Sequence, residues 1–222
     1  EEDEPIGMTV KVETDGKSVP LRLKNVFGAH AVMPALAALA VTELLHVNIL
    51  DAIKGLEWLL PAPGRLRLIE GAKGSLILDD TYNSSPVALH AALDTVQELQ
   101  IKGRKIAVLG DMMELGVYSQ EEHKKAGRHA ATVCEKLYLV GKFSTFTEEG
   151  ARQGGMNADR IKRFDTAESA GVALEKEIGR GDLILVKGSQ SVRMERVVVK
   201  IMQEPELAPE LLVRQEQEWQ KR

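Results

Sequence analysis

The first sixty residues carry two kinds of apolar pattern. In MTVKV (8–12) and VPLRL (19–23) apolar and polar residues alternate, and Asp15-Gly16 lies between the two segments. This alternation around a turn signal predicts a β-hairpin. The apolar residues that follow recur at helical spacing, which predicts two helices, one ending near Leu45 and one over 49–59.

A different pattern begins after Pro61, Pro63 and Gly64, where we place a domain boundary. Each predicted strand is now a short, continuous apolar run, and helical stretches separate the runs. Continuous runs are typical of strands that are covered on both faces, so the sequence predicts an α/β fold with a mostly parallel sheet between helices. The predicted strands are 66–69, 75–78, 105–109, 137–140, 160–164 and 183–187. The predicted helices are 86–100, 119–133, 146–153, 167–178 and 191–203, and one more over 206–222, on which Leu211, Leu212, Gln215 and Trp219 would share one side.

Polar side chains crowd the turn that follows the predicted strand at 75–78. They are Asp79, Asp80, Thr81, Asn83, Ser84 and Ser85. Ser85 is a suitable N-cap, and Pro86 a suitable first residue, for the helix behind the turn. Open α/β sheets bind their ligands where the carboxyl ends of strands meet helix N-termini. The turn is therefore the leading candidate for a binding site.

Further polar residues follow the other predicted strands, at the ends that a parallel sheet places along one edge. Carboxylates, an amide, a lysine and glycines together suit a polar, charged ligand such as a nucleotide. The alternative is that the acids only cap the following helices and that the lysine only extends to solvent. The residues are Gly110, Asp111 and Glu114 after one strand, Gly141 and Lys142 after the next, and Lys187, Gly188 and Ser189 after the last.

Composition removes several classes of function. A net charge of −4 gives no general attraction to nucleic acid. The one cysteine, Cys134, excludes an internal disulfide and fits a reducing compartment, and the most apolar stretch, 29–45, is too interrupted to span a membrane. No histidine or cysteine cluster has metal-ligand spacing, and no G-x-x-x-x-G-K-[ST] phosphate loop occurs. We therefore expect a cytoplasmic protein with no metal site in this chain, and no phosphoryl transfer by this chain alone.

Four segments, in their order and spacing, resemble the C-terminal domain of the Mur ligase family, and most of all its D-alanyl-D-alanine-adding branch. They are DDTYNSSP (79–86), RKIAVLGDMMELG (104–116), EEHKKAG (121–127) and LVKGSQSVRME (185–195). Two earlier segments, GAHAVMPALAALAV (28–41) and PGR (63–65), are similar to the end of that family's central ATP-binding domain and to the hinge behind it. The resemblance implies a remnant of the central domain over 1–62, a Rossmann-like C-terminal domain over 63–204 and a helical tail over 205–222.

By this resemblance the complete enzyme is a ligase that uses ATP and Mg²⁺ to join D-Ala-D-Ala to a UDP-N-acetylmuramoyl-tripeptide through an acyl phosphate. The N-terminal domain and most of the central domain would lie outside this chain, which would hold no catalytic residue and be inactive alone. A monomer is expected, with no nucleic-acid or membrane partner. The residues implied in nucleotide binding are Arg65, Asp80, Tyr82, Asn83 and His30. Those implied on the side of the incoming amine are Asp111, Glu114, Lys187 and Ser189.

A phospho-receiver signalling domain is a second hypothesis. Such domains also place acids after the first and a middle strand and a lysine after the last, as do Asp79, Asp80, Asp111 and Lys187 here. This hypothesis leaves the hairpin and helices before residue 62 unexplained.

A non-catalytic nucleotide-binding module of the ligase fold is a third hypothesis. It is motivated by the missing phosphate loop and by Ala31 and Pro34, which stand where the family has two asparagines that contact adenine.

Overall fold

The chain divides into two compact units, one ending at Pro61 and the other beginning at Ala62. The computed structural model describes residues 7–14 and 16–220, so Asp15 of the predicted hairpin turn lies outside the described residues. No helix among the described residues is both long and apolar enough to cross a membrane.

The first unit packs a hairpin against two helices, as predicted. Strand β1 (Gly7–Thr14) pairs antiparallel with β2 (Lys17–Lys24), and helices α1 (Val32–Leu44) and α2 (Ile49–Leu56) follow. The side chain of Asn48 accepts a hydrogen bond from the backbone N–H of Leu50 at 2.9 Å, which caps the start of α2. One face of the hairpin meets the helices in a small core of Val12, Leu21, Leu23, Val26, Ala35, Leu39 and Ile53.

The second unit is built on a twisted sheet. Its strands are β3 (Arg67–Gly71), β4 (Ser75–Asp80), β5 (Lys105–Gly110), β6 (Lys136–Val140), β7 (Ile161–Phe164) and β8 (Leu183–Lys187). Within the described residues this sheet has six strands in the order β3-β4-β8-β5-β6-β7, and only the β3–β4 pair is antiparallel. Every residue of β4 and β8 is buried, which explains their continuous apolar runs.

Helices cover both faces of this sheet. Helices α3 (Pro86–Glu98), α4 (Ser119–Val133) and α5 (Ser144–Gln153) pack on one face, and α6 (Ala167–Glu177) and α7 (Glu195–Ile201) pack on the other. The predicted Rossmann-like α/β fold is therefore confirmed.

The helix predicted over 191–203 begins later than expected. Residues Gln190–Val192 form a 3-10 turn, and Arg193 has a φ of +60°. A left-handed residue does not continue a right-handed helix, so α7 starts only at Glu195.

The single helix predicted over 206–222 was wrong. The described part of this stretch holds two short helices, α8 (Ala208–Leu211) and α9 (Gln217–Gln220), with an irregular stretch between them. Leu212 joins the core of the sheet, and Arg214, at a φ of +60°, turns its side chain into the second unit. Burial of these two side chains outweighs helical periodicity, because tertiary packing routinely overrides local propensity.

Candidate functional site

The carboxyl ends of three neighbouring strands bring the predicted polar residues together. In the sheet register Asp80 of β4 lies opposite Lys187 of β8, and Leu109 of β5 lies on the other side of Lys187. One step beyond the strands, the backbone N–H of Ser189 donates to the carbonyl oxygen of Asp111 at 2.9 Å. Asp80, Asp111, Lys187 and Ser189 therefore share one edge of the sheet.

Asp80 and Lys187 form a buried ion pair at this edge. Their side chains are 11% and 2% exposed, and Nζ of Lys187 lies 2.6 Å from Oδ2 of Asp80. The same ammonium donates to the carbonyl oxygen of Asn83 at 2.9 Å. The alternative interpretation, in which this lysine extends to solvent, does not hold. The pair joins β8 to the turn after β4 and holds that turn against the sheet.

Asp79 fastens the same turn from its other side. Its carboxylate accepts hydrogen bonds from the backbone N–H of Gly64 at 3.0 Å and from the hydroxyl of Thr81 at 2.6 Å. The side chain is fully buried, and this burial raises the pKa of Asp79 to about 6. Sequence reasoning placed Asp79 in the turn without assigning it this structural task.

The raised pKa of Asp79 predicts a specific pH dependence of stability. Between the ordinary pKa of 3.8 and the native value of about 6, the native state binds more protons than the unfolded state. The unfolding free energy therefore falls as the pH rises through this window, by about 3 kcal/mol in all from this group. Urea unfolding of the Asp79→Asn variant and of the unchanged chain between pH 3.5 and 7.5 measures the effect. The difference between their unfolding free energies should change by about that amount, and a constant difference across the range would contradict the assignment.

Arg65 and Tyr82 present an exposed cation and ring beside this turn. The guanidinium carbon of Arg65 lies 4.0 Å from the ring centroid of Tyr82, and Tyr82 is 48% exposed. The backbone N–H of Tyr82 donates to the carbonyl oxygen of Gly64 at 3.1 Å. Gly64 has a φ of +70°, and a Cβ there would lie 2.7 Å from the nitrogen of Tyr82. Only glycine fits this contact, which sets Arg65 next to the ring.

Asp111 holds a neighbouring loop. It is 5% exposed, and its carboxylate oxygens accept hydrogen bonds from the backbone N–H groups of Lys142 at 2.9 Å and Phe143 at 3.0 Å. A Cβ at Gly141 would lie 2.5 Å from this carboxylate. The geometry supports a positioning role for Asp111, whose predicted place on the amine side stays a prediction. A buried, hydrogen-bonded carboxylate is also a poor phosphoryl acceptor, so the receiver hypothesis gains no support.

His123 hydrogen-bonds to the GDMMELG loop, residues 110–116. Its Nε2 accepts a hydrogen bond from the backbone N–H of Met112 at 3.0 Å, and its Nδ1 lies 2.6 Å from the carbonyl oxygen of Ser119. This pattern suits the neutral ring, and burial lowers the pKa of His123. His123 is 2% exposed, although its charged neighbours Glu121 and Glu122 would ordinarily indicate a solvated position on the helix.

An open pocket of about 480 Å³ lies along the same edge. Glu114, at a φ of +64°, is exposed on its rim. The hydroxyl oxygen of Ser189 accepts a hydrogen bond from the backbone N–H of Met113 at 2.8 Å, and the buried hydroxyl of Ser84 has no hydrogen-bond partner among the described residues. The lining residues are Asn83, Ser84, Ser85, Met113, Glu114, Leu115, Ser189, Gln190, Ser191 and Trp219.

Two arginines that sequence reasoning missed join the C-terminal segment, residues 205–220, to the rest of the second unit: Arg214 belongs to the segment, and Arg193 donates a hydrogen bond to it. Arg214 donates to the carbonyl oxygen of Thr81 at 3.0 Å and to that of Tyr82, and it lies 3.2 Å from Oε2 of Glu195. Arg193 lies 2.5 Å from Oε1 of the same carboxylate. Glu195 is fully buried, so it holds both cations inside the unit.

His30 belongs to a different unit from the other predicted site residues. It is exposed in the 3-10 turn Ala29–Ala31 of the first unit, whereas the others belong to the second unit. Its predicted contact with a nucleotide stays a prediction.

Known proteins match the chain in sequence and in fold. A family model described as "Mur ligase, glutamate ligase domain" matches residues 64–190. The UDP-N-acetylmuramoyl-tripeptide–D-alanyl-D-alanine ligase of Bacillus subtilis is 33% identical over 181 residues, which are 81% of this chain and 39% of that protein. The ligase of the same name from Escherichia coli is 37% identical over 173 residues, 77% of this chain and 36% of that protein. The chain thus spans less than two fifths of the length of these two relatives.

Two solved structures illustrate the likeness in fold. A MurF ligase from Thermotoga maritima in complex with ADP matches with a TM-score of 0.74 and 28% identity, over 91% of this chain and 45% of that one. A MurF structure from Acinetobacter baumannii matches with a TM-score of 0.76 and 32% identity, over 87% of this chain and 42% of that one.

Proposed function

This chain belongs to the Mur ligase family, and from that membership we propose that it is the C-terminal part of an ATP-dependent ligase that joins D-Ala-D-Ala to a UDP-N-acetylmuramoyl-tripeptide. In such an enzyme ATP phosphorylates the peptide carboxylate, and the amine of the dipeptide displaces the phosphate to form the amide bond. The chemistry would take place at residues outside this chain. We propose that the residues described here bind and orient the nucleotide and the amine and keep water from the acyl phosphate.

One observation carries this proposal. The turn that holds exposed Tyr82 also contributes Asn83, Ser84 and Ser85 to the pocket. A cationic, aromatic surface and a hydroxyl-rich pocket are therefore separated by only one or two residues of backbone. A ligase that brings an acyl phosphate to an amine needs two ligand sites at this short range.

We propose that Arg65, Tyr82, Asn83 and Asp80 form the nucleotide side. The guanidinium of Arg65 is planar and permanently charged, which suits a phosphate oxygen pair, and the ring of Tyr82 offers a flat apolar face. Asp80 binds Lys187 through Oδ2, and we assign its other oxygen, Oδ1, to a ribose hydroxyl. We propose His30 of the first unit as a further contact to the nucleotide.

We propose that the pocket is the amine side. Among its described lining residues Glu114 is the one acid, and it would attract the ammonium group of the dipeptide. The hydroxyls of Ser84 and Ser189 can bind the peptide groups, while Asp111 and Lys187 hold the loops from which Glu114 and Ser189 project.

Mg²⁺ is proposed to reach the ligase with the phosphates of ATP. Within residues 7–14 and 16–220, no group of three or more histidine, cysteine or carboxylate side chains is arranged to hold a metal ion. We therefore assign no Mg²⁺ ligand to this chain. We also propose that the enzyme is cytoplasmic and monomeric.

A chimeric enzyme tests the function. The chain replaces the corresponding part of the Bacillus subtilis ligase, and ADP release is measured with UDP-N-acetylmuramoyl-tripeptide and D-Ala-D-Ala. The expected result is release that requires both substrates. Activity with another amine and none with D-Ala-D-Ala would move the chain to a different branch of the family. A folded chimera that binds ATP and releases no ADP with any amine would favour the non-catalytic module.

Removing the side chain of Arg65 is expected to weaken ATP binding. The Arg65→Ala change deletes a charged hydrogen-bond donor to phosphate, which costs about 1.5–3 kcal/mol, or a factor of about 10 to 150 in the dissociation constant. Isothermal titration of the chimera with ATP measures it. The control is Arg152→Ala, which removes an exposed arginine at the end of α5 and should leave ATP binding unchanged. Equal affinities for the two variants would remove Arg65 from the nucleotide side.

A further inference from the structure

The geometry points to Trp219 as a specificity-determining residue, a wall of the pocket that limits the incoming amine to small side chains. We propose that this residue, which lies far along the chain from the family motifs, touches the substrate and selects it. The inference rests on the proposed function, because it takes the pocket to be the amine site.

Trp219 meets the pocket from outside the sheet. It belongs to α9 of the C-terminal segment and is half-buried, while the other lining residues come from the turn after β4, the GDMMELG loop and the turn after β8. Its indole is the largest side chain of the described lining. The hydroxyl and amide side chains supply polarity, and the indole supplies a rigid apolar boundary.

Buried charges hold this wall in place. Arg193 donates to the carbonyl oxygen of Trp219 at 2.6 Å, and its guanidinium carbon lies 5.5 Å from the indole centroid. The guanidinium carbon of Arg214 lies 5.9 Å from the same ring. Both arginines bind Glu195, whose side chain is 1% exposed. The indole is therefore positioned by groups that cannot move without exposing or unpairing a buried charge.

A fixed wall is what selection by size requires. A mobile side chain would yield to a larger substrate, whereas a ring that faces two anchored guanidinium groups, on a backbone that Arg193 also binds, would clash with it. Apolar pockets discriminate one methylene group by about ten- to two-hundredfold in kcat/KM. Shortening Trp219 should remove this discrimination and leave the polar contacts of Glu114 and Ser189 in place.

The experiment compares two amines in the chimeric ligase. Values of kcat/KM are measured for D-Ala-D-Ala and for D-Ala-D-Leu with Trp219→Ala, Trp219→Phe and the unchanged chain. Trp219→Ala is expected to shift the ratio of the two values towards the larger dipeptide by about tenfold or more, and Trp219→Phe by less. The KM for ATP should stay unchanged. The control is Trp58→Phe, which alters an exposed tryptophan of the first unit and should leave the ratio unchanged.

Other outcomes overturn the inference. A merely structural role would lower both kcat/KM values in parallel and leave their ratio unchanged, and the Trp219→Phe variant guards against a loss that reflects unfolding alone. If both Trp219→Phe and Trp219→Ala are folded and active and the ratio of kcat/KM for the two dipeptides is unchanged, Trp219 is not part of the pocket wall.

A direct binding measurement separates this inference from the proposed function. The sequence has two tryptophans, so in the Trp58→Phe chain the fluorescence comes from Trp219 alone. This chain is titrated with D-Ala-D-Ala, D-Ala-D-Leu and L-alanine. If the unchanged chimera releases no ADP with D-Ala-D-Ala while Trp219 fluorescence saturates with L-alanine or D-Ala-D-Leu, the substrate assignment fails. The assignment of Trp219 to the pocket wall is then supported. If the chimera uses D-Ala-D-Ala and the fluorescence does not respond, the wall fails alone.

Discussion

Replacing Lys187 with methionine is expected to lower the unfolding free energy of the second unit by about 3–5 kcal/mol. The change leaves the carboxylate of Asp80 buried without its cation and removes a donor from the carbonyl oxygen of Asn83. Breaking a buried pair from one side is costly because the remaining charge has already lost its water. Urea unfolding at pH 8, followed by circular dichroism and by Trp219 fluorescence in the Trp58→Phe chain, measures the loss.

Two variants sharpen this result. The double change Asp80→Leu with Lys187→Met removes both charges and should recover most of the loss, because no unpaired charge remains. Lys136→Met breaks an ion pair of 2.8 Å with Glu177 whose side chains are 30% and 25% exposed, and it leaves Glu177 paired with Lys162, so it should cost about 1 kcal/mol or less. A Lys187→Met variant as stable as Lys136→Met would mean that the Asp80 pair contributes no more than this partly exposed pair does.

Replacing Glu195 with glutamine is expected to destabilise the second unit by a similar amount, about 3–5 kcal/mol. The Lys187 variant leaves a buried anion unpaired, whereas this variant leaves two buried cations, Arg193 and Arg214, without their shared carboxylate. Mutual repulsion should also loosen the C-terminal segment. In the Trp58→Phe chain we expect the emission of Trp219 to shift to longer wavelength under native conditions, together with a lower thermal unfolding temperature.

A second glutamate provides the matched control for Glu195. Glu168 binds Arg196 at 2.6 Å, but these side chains are 42% and 30% exposed. Glu168→Gln should therefore change the unfolding free energy by about 1 kcal/mol or less and leave the emission of Trp219 unchanged. Equal losses in the two variants would show that the buried position of Glu195 is not what matters.

Short-range sequence patterns were enough to predict most of the helices and strands. Ser85 accepts a hydrogen bond from the backbone N–H of Ala88 at 3.4 Å, and Pro86 is the first residue of α3, as the residue types predicted. The strands of the sheet were readable because a buried parallel strand needs an unbroken apolar run. The edge that gathers Asp80, Asp111 and Lys187 followed from strand direction alone.

Long-range partners were beyond the same reasoning. The neighbours of His123 in sequence are charged, and nothing in a helical repeat indicates that its ring would be buried under Met112. In the sequence Lys187 is only a lysine at the end of a strand, and its pairing with Asp80 becomes visible only in the folded sheet. The C-terminal segment is the clearest case, because Glu195 captures Arg214 across a stretch in which the periodicity favoured one continuous helix.

The path of Arg214 has a practical consequence for anyone who redesigns this protein. A terminal appendage can be trimmed, randomised or fused without harm when its residues touch only water. Here the C-terminal segment supplies a counter-ion to the interior and donates hydrogen bonds to the backbone carbonyls of Thr81 and Tyr82. Shortening the chain before Arg214 would strip an interior carboxylate of half its neutralising charge, so an affinity label belongs beyond Trp219 and behind a flexible spacer.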